Sequence, residues 1–210
     1  KNSAPFQVVP IGFNKENITV KPVGIIDRFN LIFVGFLFEK QGLQLVIEVL
    51  PKLIKKFPKV HLTVIGSGPM EDEIKKTVHT LNLTAHVTFM GYMNNHQEIV
   101  ELLTKKGGIG LATYIPSIGD YTYNADPSKI KLYLLCGLPV ITTNVPPIAK
   151  KIAEKKAGFV IDYSQEDLLN VLEELLSDYD VYSIVRKNSL KLGSEFDTAV
   201  ILDTSFKELK

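Results

Sequence analysis

One cysteine, Cys136, rules out an intrachain disulfide, and its place in an apolar helical stretch marks it as a small core residue in a reducing compartment. No stretch approaches the roughly 20 apolar residues that cross a bilayer, and no signal peptide opens the chain, so a cytoplasmic protein is expected. Charge of one sign is scarce as well: 24 Lys and Arg against 23 Asp and Glu give a formal charge of +1, with the lysines scattered. A nucleic-acid partner needs a concentrated basic excess to displace counterions, so that class is excluded. His61, His79, His86 and His96 show no helical ligand pairing, and no protein-bound metal is expected. Nor is there a Gly-x-Ser-x-Gly nucleophile elbow. What is present is 45% hydrophobic and 22% charged residues over 210 positions, enough for a substantial core.

From residue 31 onward, short buried runs alternate with helical patterns. Residues 31–35, 61–65, 87–90, 108–112, 139–142 and 158–161 read as strands. Helical spacing covers 43–57, with Pro51 as an internal break, then 70–81, 99–103, 127–136 and 147–155. A last helix is expected over 168–176, started by Ser164 with Glu166 and Asp167 in its first turn. Such alternation predicts an α/β fold, a doubly wound, Rossmann-like parallel sheet of about six strands with helices on both faces. No repeat, low-complexity tract or linker interrupts residues 31–176. The expected division is an entry segment over 1–28, a ligand-binding domain over 29–178 and a helical segment over 179–210. The chain opens on Lys1 rather than Met, so it reads as a piece of a longer protein.

Parallel sheets bind ligands outside the carboxyl ends of their strands. The loops predicted there carry Gly35, Gly66 and Gly91, which let the backbone approach a ligand, and helix starts whose free amides favour an anion. Lys40 and Lys129 stand at the same mouth and can each meet an oxygen of a diphosphate. Gly66-Ser67-Gly68 begins a dinucleotide fingerprint, but Glu71 stands where its third glycine belongs, which argues against a nicotinamide cofactor. Tyr114, Tyr121 and Tyr123 crowd the long loop before the 127–136 helix and are candidates to line a sugar or base pocket. Lys150, Lys151, Lys155 and Lys156 read as a solvated helix face that also allows a peripheral membrane contact.

The ordered series of segments 8–13, 33–42, 64–69, 87–92 and 127–141 resembles the C-terminal, donor-binding domain of group 1 glycosyltransferases of GT-B fold, with a local pattern over 124–141 like that of bacterial surface-glycan enzymes. The resemblance implies one half of a GT-B enzyme that binds a nucleotide sugar, a UDP-hexose, as substrate and transfers it with retention. A glycan or lipid-linked acceptor would be held by a preceding domain, at the inner face of the membrane. It places the diphosphate near Gly35, Lys40, Ser128 and Lys129 and the base near Gly91, Tyr92 and Met93; Gly66 and Tyr123 are further donor-site candidates, and Asn124 would contact sugar or phosphate. Asn124 and Lys129 would be the catalytic pair. Three positions depart from the family: Phe36 stands for an arginine, and Asn124 and Leu132 stand for two glutamates. These departures keep open a non-catalytic module with a degenerate site, and a sugar-nucleotide epimerase is the remaining alternative.

Overall fold

The computed structural model describes residues 9–22, 27–117 and 121–208. Its strands are β1 (Asn30–Val34), β2 (His61–Ile65), β3 (Val87–Phe89), β4 (Ile109–Ala112), β5 (Val140–Thr143) and β6 (Gly158–Ile161). All pair in parallel, in the order β3-β2-β1-β4-β5-β6. The helices are α1 (Leu43–Lys56), α2 (Glu71–Thr80), α3 (His96–Lys106), α4 (Ser128–Leu135), α5 (Ile148–Glu154), α6 (Gln165–Ser177), α7 (Tyr179–Gly193) and α8 (Thr198–Glu208).

Period-two alternation along the strands divides the core into two layers. On β1, Leu31 and Phe33 join the layer containing α1, α2 and α6, whereas Ile32 and Val34 face α3, α4 and α5. Both faces of the sheet are therefore covered, as expected for parallel strands joined by helical crossovers. The chain begins in the middle of the sheet and reverses its winding between β1 and β4. At that reversal two neighbouring strands send their connections to opposite faces, leaving a crevice at their carboxyl ends.

Boundaries moved where polar capping outweighed apolar spacing. The helix expected over 99–103 starts at His96 because the Asn95 side chain accepts from the Gln97 N–H at 3.0 Å and donates to Glu98 at 3.0 Å. That first turn carries little apolar periodicity, so spacing alone missed it. Pro51 does not divide α1, which runs unbroken around it with the ring on the exposed side. Ser164 caps α6 as expected, accepting from the Asp167 N–H at 3.1 Å. The entry segment forms no strand among its described residues; Phe13 makes one isolated bridge to Asp197, and residues 1–8 lie outside the described residues.

The C-terminal helices pack on the sheet domain. Tyr182 of α7 is fully buried and donates to the Gly108 carbonyl at 3.1 Å. Arg186, also buried, donates to the Gly137 carbonyl just past α4 and to the Lys21 carbonyl at 2.9 Å, joining three segments through backbone acceptors. On α5, Lys151 pairs with Glu195 at 2.5 Å and Lys150 approaches Glu154 at 4.0 Å. No helix among the described residues is long and apolar enough to cross a membrane.

Candidate functional site

A cavity of about 390 Å³ opens at the β1–β4 reversal. Its walls come from the end of β1 (Val34, Gly35, Phe36), the start of α4 (Pro127, Ser128, Lys129) and the start of α3 (His96, Ile99), with Gln41, Tyr114, Asp126 and Leu132 between them. Local sequence explains each wall. Beyond the short register Leu31↔Ile109 and Ile32↔Gly110, β1 and β4 lose their shared ladder. The buried Tyr133 hydroxyl takes its place, accepting from the Val34 N–H at 2.7 Å. Burial holds that phenol protonated far above its ordinary range. Its ring fits because Gly110 lacks a side chain; a Cβ there would lie 2.6 Å from the Tyr133 ring.

The ends of β1, β2 and β3 meet as three glycines. Gly35 N–H donates to the Ile65 carbonyl at 2.9 Å, and Gly66 N–H to the Gly91 carbonyl at 2.8 Å. Gly66 has a φ of +137°, and a Cβ on it would stand 1.9 Å from the Gly35 carbonyl oxygen. Gly66 is thus the spacer that sets the height of the Gly35 backbone beside the cavity.

Lys129 carries the site's unneutralised charge. Its Nζ donates to Gln41 Oε1 at 2.5 Å and lies 4.4 Å and 5.0 Å from the ring centres of Phe33 and Tyr114. Among the described residues no carboxylate is within ion-pair reach of it. Burial without a counter-charge pushes its ammonium down from 10.5 to about 7. The backbone of α4 adds to the same field: among the described residues no side chain caps its first turn, the Ile130 N–H donating to the Pro127 carbonyl while Ser128 and Lys129 open the helix beside the cavity. The one carboxylate among the described residues of the wall, Asp126, is already engaged by Lys131 Nζ at 2.5 Å and by the Ile11 N–H at 3.0 Å. The arrangement is a half-buried cation and a helix terminus facing a cavity whose one acid among the described residues is neutralised, which favours a bound anion.

The predicted residues separate into two groups. Gly35, Phe36, Ser128 and Lys129 line the cavity, with Gly66 directly behind Gly35. Lys40 does not line it. The 3-10 turn Glu39–Gln41 points Gln41 inward while the Lys40 side chain is exposed, so the neighbour takes the expected place. Gly91, Tyr92, Met93, Tyr123 and Asn124 lie outside the wall; Tyr92 is 71% exposed, and a Cβ on Gly91 would meet open space. Of the loop tyrosines, Tyr114 lines the cavity; the Tyr121 side chain lies outside the described residues. His96 stacks on Phe13 with ring centres 5.2 Å apart, and both border the cavity. Phe13, Gln41, His96 and Asp126 escaped the sequence reading; only Gln41, next to Lys40, had a usable signal there. A wider groove of about 730 Å³ follows α5 and β6, but Asp162 and Asp167 in its wall disfavour an anion. No group of three or more His, Cys, Asp or Glu among the described residues could hold a metal ion.

Residues 16–192 match the family model "Glycosyl transferases group 1". An uncharacterized glycosyltransferase of Haemophilus influenzae is 22% identical, over 85% of this chain and 48% of its own length. The crystal structure of Anabaena HepE in complex with UDP-glucose superposes with a TM-score of 0.76 at 19% identity, covering 94% of this chain and 55% of that one. The C-terminal domain of a group 1 glycosyl transferase, LpcC, from Francisella tularensis gives a TM-score of 0.72 at 17% identity, over 87% of this chain and 97% of that domain. The chain spans about half the length of the curated relatives it matches.

Proposed function

The chain belongs to the group 1 glycosyl transferase family, and from that premise we propose that it is the donor-binding half of a glycosyltransferase using a UDP-hexose. The observation that carries the reading is Lys129: a half-buried ammonium with no counter-charge among the described residues, at the start of α4 and against the Gly35 backbone. In this reading the diphosphate lies over Gly35, between Lys129 and the first amides of α4. The anomeric carbon's bond to the diphosphate oxygen breaks, the acceptor oxygen bonds to that carbon on the same face, and the charge left on the diphosphate is met by Lys129 and the helix terminus. No protein-bound metal is needed for that neutralisation. The HepE complex with UDP-glucose supports the choice of donor. A glycan or lipid-linked acceptor would be held by the other half of the enzyme.

Leu132, 4% exposed in the cavity wall, favours the second reading, a binding module with a degenerate site, because it offers no acceptor to a ribose hydroxyl. A titration and a transfer assay together separate the two. Calorimetry with UDP, GDP and ADP should show saturable binding of UDP, weakened by about 1–3 kcal/mol in Lys129→Ala, the loss expected for a charge-assisted hydrogen bond. Full-length protein that binds no nucleoside diphosphate would sink the donor reading; binding without transfer would favour the module.

Affinity should also depend on pH in a defined direction. The nucleotide sugar's diphosphate diester does not titrate near neutrality, whereas free Lys129 loses its proton above about pH 7. The bound dianion favours the ammonium, so binding takes up a proton above that pH. Affinity for UDP-glucose should fall by up to about tenfold per pH unit above 7, and Lys129→Ala should flatten the profile. An equally steep profile in the variant would assign the titration to another group.

A further inference from the structure

Phe36 and Phe38 are large apolar side chains that the fold leaves in water, 51% and 47% exposed, with ring centres 4.7 Å apart and planes tilted by 31°. The backbone holds them there. Leu37, between them, turns inward and is 1% exposed; its N–H donates to the Ser67 carbonyl and its carbonyl accepts from the Met70 N–H, both at 3.0 Å. The Phe38 N–H closes a tight turn onto the Phe36 carbonyl at 3.0 Å. Neighbours on this stretch therefore face opposite ways, and both rings are presented on the outer side. Keeping two adjacent rings hydrated is unfavourable, so such a pair marks a surface that something covers.

Its position identifies the chemistry. Phe36 borders the cavity beside Gly35 and Lys129, whereas Phe38 lies beyond the wall, so the two rings make an apolar step leading out of the anion site. Neither ring can donate a hydrogen bond to a phosphate oxygen. A pyranose fits both requirements, because its axial C–H groups form one apolar face while its hydroxyls radiate toward water. Resting on the donor-site reading for the diphosphate, we infer that Phe36 and Phe38 form a stacking platform for the pyranose ring next to it. That ring is either the hexosyl group of the donor or a sugar of the acceptor. The aromatic pair is a specificity device of this chain, at a place where an arginine would instead have met phosphate.

The chain has no tryptophan, which gives a direct test. Phe38→Trp keeps an aromatic at an exposed position, and the difference between its emission and that of the wild type reports on the platform. The full-length protein is titrated with UDP, with UDP-glucose, and with methyl glucoside, methyl galactoside and methyl N-acetylglucosaminide in the presence of UDP, while calorimetry follows UDP binding in the same variant. A response to UDP-glucose but not to UDP assigns the donor's hexosyl group; one to a glycoside assigns the acceptor. In calorimetry, Phe38→Ala, beyond the cavity wall, should then reduce affinity for the responding sugar ligand by about three- to tenfold while UDP affinity stays unchanged. An equal response to UDP alone overturns the platform in favour of a nucleoside. No sugar response while UDP binds overturns it with the donor reading intact. A sugar response without nucleotide binding keeps the platform and removes the donor reading, and silence in every arm removes both.

Discussion

Lys129→Met is expected to make the protein more stable while weakening donor binding. The wild-type ammonium is held near pH 7 by burial, against 10.5 for an ordinary lysine. Below pH 7 the group is charged in both the folded and unfolded states, and the native state carries the full desolvation cost. Between about 7 and 10.5 the folded protein has released the proton that the unfolded chain still holds, so wild-type stability rises with pH. Methionine keeps a flexible side chain against Phe33 and Tyr114, whose rings sulfur contacts favourably, and removes the charge. The variant should therefore gain about 2–4 kcal/mol below pH 7, a gain that shrinks toward zero near pH 10. Urea unfolding of both proteins across that range measures it. Equal stabilities at low pH would mean that Lys129 is solvated and not poised for an anion.

Gly66→Ala should be the most damaging single methyl group near the site. Its Cβ would fall 1.9 Å from the Gly35 carbonyl oxygen, at a φ of +137° that disfavours any side chain. Neither atom can yield cheaply, since Gly35 N–H is tied to Ile65 and Gly66 N–H to Gly91. Left-handed strain and backbone displacement together should cost about 3–5 kcal/mol in urea unfolding. Protein that remains folded should bind UDP at least tenfold more weakly, because Gly35 is the backbone against which Lys129 packs. Gly91→Ala is the control: nothing lies within 4 Å of its added methyl group, so only its φ of +69° is strained and the loss should stay near 1–2 kcal/mol. Similar losses in both variants would show that the contact with Gly35 is relieved by a small shift.

Much of this architecture is legible because its causes are local. Alternating residues such as Leu31, Ile32, Phe33 and Val34 state a strand buried on both sides, and the spacing of Leu43, Val46, Ile47, Leu50 and Leu53 states a helix. The order of those patterns implies parallel strands, and parallel strands imply a ligand site at their carboxyl ends. Lys129 at the first turn of α4 follows from the same reading. The start of α3 did not follow, because Asn95 and Glu98 cap it through polar bonds that leave no apolar period.

Composition and periodicity by themselves determined the fold class, the carboxyl ends of the strands as the place to look, and the candidacy of Gly35 and Lys129. Tertiary structure alone decided that Gln41 rather than Lys40 meets Lys129, that Asp126 is neutralised by Lys131, and that Phe13 and His96 share a wall although 83 positions, the difference of their residue numbers, separate them. The physical reason is range. Periodicity records interactions between residues two to four apart, whereas the charge state of a buried lysine and the partner of a carboxylate depend on groups brought together only when both layers pack against the sheet.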